Sequence, residues 1–121
     1  MDDQHGCPTS ARDIAAALKT IALRMIGDDQ APVGVFHFVN AGETSWAGLA
    51  REIFARSAAT GGPSAAVEGI TTADYPTQAR RPANSRLMTS RLTRDYGVVP
   101  RAWQDAVAEI VFELNAERAP A

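Results

Sequence analysis

The chain has 121 residues, enough for one domain with one modest core. Hydrophobic residues make up 45% and charged residues 21%, which excludes a disordered tail. The formal net charge is −2, but six arginines lie between positions 80 and 101 against one acid, Asp95, leaving −7 on the rest. An acidic domain with one lysine suits a small anionic ligand better than nucleic acid, and nucleic-acid partners are not expected. The longest apolar run, Ile14 to Leu18, is too short for a bilayer, so no membrane partner is expected. The single cysteine, Cys7, excludes an internal disulfide framework and fits a reducing cytoplasm. Met1 opens no export signal.

Residues 8–26 read as a helix. Ser10 is the candidate N-cap, Asp13 favours the helix dipole, and Ile14, Leu18, Ile21 and Met25 form one apolar stripe. Gly27 and Pro32 stop it. Val33–Asn40 (VGVFHFVN) is rich in β-branched and aromatic residues on both faces, the pattern of a buried strand with parallel neighbours. His37 within it reads as a hydrogen-bonded core residue. Thr44 or Ser45 caps a second helix with Trp46, Leu49, Ala50, Ile53 and Phe54 as its stripe. Val67–Thr72 is expected to be a short strand, and 73–84, with Pro76 and Pro82, an ordered loop. Thr89 caps one helical turn through Asp95, ended by Gly97. Pro100 introduces a last helix whose buried face is Trp103, Val107, Ile110, Val111 and Leu114, and the tail after Glu117 is expected to fray. The fold class is α/β: a small sheet of two or three strands in right-handed strand–helix units, packed with about four helices. That is thin for an independent fold and looks like part of a larger α/β enzyme.

No G-x-G-x-x-G spacing exists, so a dinucleotide finds no phosphate-cradling turn. A tyrosine–lysine pair one helical turn apart is absent too: Ala79 follows Tyr75 by four and Pro100 follows Tyr96 by four. Two histidines, His5 and His37, and one cysteine make no zinc spacing, and Cys7 reads as structural. No catalytic centre can be assembled. What remains is the stretch from Thr72 to Leu87, which sets Arg80, Arg81, Asn84, Ser85 and Tyr75 on a proline-stiffened loop. Two guanidinium groups, directional hydrogen bonders and an aromatic ring suit a nucleotide diphosphate. The same arginines could instead pair with nearby acids on the surface.

DQHGCPTS (3–10), GVFHFVNAGETSWAGLAREIF (34–54) and above all ITTADYPTQARRPANSRL (70–87) resemble the dTDP-4-dehydrorhamnose reductases, and the likeness continues through Trp103 and the last helix, over about residues 2–115. The last of these matches the family's Y-P-T-x-A-R-R-P-x-N-S-R-L signature. The resemblance is to the C-terminal, substrate-binding lobe of an extended short-chain dehydrogenase/reductase. It implies a parent enzyme that reduces dTDP-6-deoxy-L-lyxo-4-hexulose to dTDP-L-rhamnose with NADPH or NADH, in bacterial cell-surface polysaccharide synthesis. The cofactor and the Tyr-x-x-x-Lys pair would lie in an N-terminal Rossmann domain, so this chain is read as a fragment of residues 1–121, with an ordered core of about 3–115, inactive alone and binding no cofactor itself.

By resemblance, Arg81 and Arg80 neutralise the pyrophosphate of a dTDP-sugar, with Asn84, Ser85 and Tyr75 on the same loop. Thr44, Ser45 and Trp46 are a helix cap and core anchor. Some members use carboxylates of this region for a divalent ion such as Mg2+ at a dimer contact. Glu113 is a candidate ligand, but Arg12 stands where such members carry an acid. Met88 replaces a usual helix-capping aspartate. Loss of the Rossmann partner is expected to expose apolar surface and promote self-association. The alternative function is a non-catalytic protein-interaction module resembling the regulatory subunit of methionine adenosyltransferase; in a third reading the arginine loop is structural only.

Overall fold

The computed structural model describes residues 1–118. In chain order the elements are β1 (His5–Gly6), α1 (Ala11–Gly27), β2 (Thr44–Ser45), α2 (Trp46–Ala59), a 3₁₀ turn (Thr72–Asp74), α3 (Ser90–Tyr96) and α4 (Trp103–Arg118). Four helices and a two-stranded sheet agree with the expected class. The frayed tail was expected beyond Glu117. Arg118 closes α4, and the positions after it lie outside the described residues. No described helix is long and apolar enough to cross a membrane.

Helices α1 and α2 begin on side-chain caps, whereas Thr89, the expected cap of α3, makes no side-chain cap bond. The Ser10 side chain accepts the Asp13 N–H at the start of α1, and Ser45 accepts the Gly48 N–H at the start of α2. Helix α3 ends at Gly97, whose φ of 69° is the left-handed conformation that glycine adopts without steric cost. Helices α2 and α4 pack on each other around buried Trp103, Val107 and Val111, with Leu49 laid against them. Leu92 and Tyr96, one turn apart on α3, are buried on a second face, where Phe36 meets the Tyr96 ring edge-on at 5.5 Å.

The sheet corrects the expected strands. It is antiparallel, with His5 opposite Ser45 and Gly6 opposite Thr44, and it contains neither right-handed crossover unit. Val33–Asn40 is not a strand among the described residues. Side chains take two of its carbonyls instead: Arg91 donates to those of Val35 and Val33 and stacks over Phe36 at 4.6 Å, while just before it the Tyr96 hydroxyl donates to the Pro32 carbonyl. Without flanking strands, Val33 and Val35 are over 70% exposed, and His37 is exposed rather than a core residue. Val67–Thr72 is irregular and leads into the 3₁₀ turn. Here Thr71 and Asp74 close a reciprocal capping box, a local pairing that competes with a strand ladder.

The helical stripes are also less buried than their spacing implies. Ile14, Leu18 and Met25 of α1, Trp46 and Ile53 of α2, and Ile110 and Leu114 of α4 are exposed, while the small residues Ala17, Ala47 and Ala106 are buried. Trp46 is therefore no core anchor. Helix α1 is held by its N-terminal turn. Asn40 is fully buried there, accepting the Ser10 N–H through Oδ1 at 2.8 Å and donating through Nδ2 to Asp13 at 2.6 Å. Its backbone N–H donates to Thr9 Oγ1, and Arg101 grips the Asp13 carboxylate with two nitrogens at 2.7 and 2.9 Å.

Two predictions follow from this junction. Asn40→Ala leaves a buried N–H and a carboxylate short of partners and is expected to destabilise the chain by about 2–4 kcal/mol, read by urea unfolding. Arg101, and then the Asn40 amide, hold the Asp13 carboxyl below the ordinary aspartate value of 3.8. Because the folded-state value is the lower one, the stabilisation is complete above the ordinary value and is lost as pH falls through the folded one. The melting temperature of the wild type is expected to fall more steeply below about pH 4 than that of Asp13→Asn, which starts lower.

Candidate functional site

A cleft of about 510 Å³ opens between the N-terminal segment, the start of α2, α4 and the arginine loop. Trp46, Leu49, Val107 and Ile110 supply apolar walls, while Gln4, Thr9, Ser10 and Ser85 add small polar groups. Arg81 is the only aspartate, glutamate, lysine or arginine on its lining. An apolar cleft with one cation and a few hydrogen-bonding groups suits a ligand that is flat or apolar at one end and anionic at the other.

The loop reaches the cleft because it is stitched to β1. The His5 N–H donates to the Ala83 carbonyl and the Ser85 N–H donates to the His5 carbonyl, both at 2.8 Å. This brings Ser85 against Gly6, where an added Cβ would lie 3.7 Å from the Ser85 Cβ. Upstream, Asp3 accepts both the backbone N–H and the hydroxyl of Thr72, and these bonds lower its carboxyl pKa. Buried Gln4 donates to Thr72 Oγ1 at 3.1 Å. The segment 2–5 thus ties down both ends of the Thr72–Ser85 stretch.

The five sequence-derived site residues separate in space. Arg81 and Ser85 line the cleft, whereas Arg80, Asn84 and Tyr75 do not. Asn84 shapes the loop: its Oδ1 accepts the backbone N–H of Arg86 at 3.0 Å and its Nε at 2.9 Å. Arg86 also pairs with Glu43 at 2.7 Å. Tyr75 is 60% exposed. Among the described residues neither Arg80 nor Arg81 has a carboxylate within 4.0 Å, unlike Arg12, Arg56, Arg86, Arg94 and Arg101. Their guanidinium groups are therefore not spent on surface ion pairs.

Spacing alone missed the opposite wall. Gln4, Thr9 and Trp46 are remote in sequence from the loop, and only the DQHGCPTS and TSW motifs mark them. Cys7, a free and half-buried thiol, lies on the same wall. Ser45 lines the cleft but is engaged twice, donating to Asp2 Oδ1 at 2.6 Å while capping α2.

Glu113 sits outside the cleft. Arg12 donates to its two oxygens at 2.7 and 2.9 Å and to Glu109 at 2.8 Å. These bonds raise the Arg12 pKa, Glu113 contributing most, and they place a guanidinium on both Glu113 oxygens and one Glu109 oxygen, where a divalent ion would need them free. No group of three or more histidines, cysteines or acids able to hold a metal occurs among the described residues.

The family model of the RmlD substrate binding domain matches residues 1–116. A dTDP-4-dehydrorhamnose reductase of Sinorhizobium fredii is 43% identical over 116 residues, covering 95% of this chain and 39% of that protein. The crystal structure of a dTDP-4-dehydrorhamnose reductase from Clostridium acetobutylicum superposes with a TM-score of 0.77 at 33% identity, over 95% of this chain and 38% of the other. That of the Bacillus anthracis reductase, in complex with NADP, gives 0.69 at 25% identity, over 93% and 36%. The chain thus spans about two fifths of the length of these relatives. With the family model matched from Met1 into the last helix, and the fold shared with solved reductases, the chain belongs to the RmlD substrate binding domain family.

Proposed function

We propose that this chain is the sugar-nucleotide-holding domain of a dTDP-4-dehydrorhamnose reductase. Arg81 and Ser85 take the diphosphate, and Arg80 adds charge beside them. The observation that carries this reading is Arg81, the one Asp, Glu, Lys or Arg among the described residues lining a largely apolar cleft, with no carboxylate paired to it. A pyrophosphate answers the cation, and the apolar walls suit the less polar parts of the nucleotide. Asn84 acts by keeping the loop in shape, and Tyr75 lies ahead of the loop as a flanking contact. Residues 1–121 form one substrate-binding unit with an ordered core of about 3–115, and a cytoplasmic location goes with this chemistry.

Holding the diphosphate places the sugar's 4-keto group for reduction by the rest of a longer protein. The cofactor of that reduction would be NADPH or NADH, in keeping with the NADP of the Bacillus anthracis relative. This chain has no glycine-rich phosphate turn, so its residues do not fit a dinucleotide.

The test is an NMR titration of the chain with dTDP. Saturable shifts centred on Arg80–Ser85 are expected, and Arg81→Ala is expected to weaken binding by about 10- to 100-fold, the scale of a lost charged hydrogen bond. Arg56→Ala, which breaks only the Glu52 pair on α2, leaves binding unchanged. No saturable shift in a folded chain, or equal binding by Arg81→Ala, would sink the reading.

The exposed Leu18, Leu23 and Ile26 of α1, with Val33 and Val35, suit burial against further protein. Alone, the chain is expected to self-associate, with a sedimentation coefficient that rises with concentration. A compact monomer at all concentrations counts against this.

A further inference from the structure

The junction of α1 and α4 carries a second cluster, whose charged side chains do not line the cleft. Glu109 and Glu113 lie one turn apart on α4, and Arg12 reaches them from the first turn of α1. Arg12 Nη1 donates to Glu109 Oε1 at 2.8 Å and to Glu113 Oε1 at 2.7 Å, while Nη2 donates to Glu113 Oε2 at 2.9 Å. Arg101 completes the set, donating to Glu109 Oε2 at 2.9 Å and clasping Asp13. Both oxygens of each of the three carboxylates thus receive an N–H from a guanidinium.

We propose that Arg12 is a built-in cation at this junction, filling the place among Glu109 and Glu113 that a divalent ion would otherwise need, so that the cluster does not take a metal. The stereochemistry supports the substitution. Magnesium takes oxygen ligands at about 2.0–2.1 Å in near-octahedral geometry and keeps several waters. To enter, it would have to displace the Arg12 fork and lie beside two fixed positive charges. A planar guanidinium meets Glu113 through two parallel bonds and spans to Glu109 without any such shell. The side chains are partly exposed, so the clasp sets the relative placement of α1 and α4 more than it adds stability.

The test compares thermal unfolding and sedimentation velocity of the chain in millimolar Mg2+ and in EDTA, at matched ionic strength. The wild type is expected to give the same melting temperature and sedimentation coefficient in both. Arg12→Glu gathers a third carboxylate beside Glu109 and Glu113. It is expected to melt lower than the wild type in EDTA and to recover when Mg2+ or Ca2+ is added. Should that variant not fold, Arg12→Gln, which adds no third carboxylate, is expected to show a smaller drop in melting temperature and a smaller metal-dependent rise. A metal response in the wild type, or a loss in these variants that no divalent ion restores, would overturn the proposal.

Discussion

Asn40 is the constraint on which the rest of this structure depends. A carboxamide accepts and donates through two separate atoms, and here it does both with no solvent contact. Its oxygen holds the backbone N–H of the residue that caps α1, and its nitrogen holds the acid in the first turn of that helix. Around it, the Ala41 N–H donates to the Arg101 carbonyl and the Trp103 N–H donates to the Ala41 carbonyl. One residue therefore fixes the start of α1 relative to the approach of α4, and the cleft lies between those two segments. Leaving such a group unpaired costs more than its bonds contribute, which makes the junction all-or-none.

The arginines divide by partner. Those at 12, 86, 91 and 101 are spent on structure: they clasp carboxylates across elements or hold carbonyls that would otherwise need a sheet. Arg80 and Arg81 sit on a loop whose backbone is pinned at both ends, and they meet no carboxylate among the described residues. Both side chains are exposed, so water solvates their charge, while the pinned backbone holds them at the rim of an apolar wall. Eleven arginines against one lysine fit both uses, since the planar fork serves a carboxylate clasp and a diphosphate equally well.

Much of the local structure was legible because it depends on short-range chemistry. Ser10 and Ser45 as caps, Gly97 as a stop and the helices themselves follow from side chains within a few residues of each other. Val33–Asn40 has a strand's composition without a strand's pairing, because β-branched and aromatic residues report only that a segment could pair, not that a neighbour is present. The apolar stripes failed similarly. Periodicity identifies a helix face, yet whether Leu18 or Trp46 is covered depends on what packs over it.

The sequence by itself determined the helices, the Ser10 and Ser45 caps and the loop that carries the arginines, because each rests on contacts between near neighbours in the chain. Its motifs also marked the family, through residue identities at set spacings. Only the tertiary structure decided that Arg81 and Ser85 share a cleft with Gln4 and Trp46 while Arg80, Asn84 and Tyr75 stay outside it. Only there does Arg12 meet Glu113, a pair 101 positions apart. Such pairings depend on where the backbone of one segment crosses another, and no local propensity encodes that crossing.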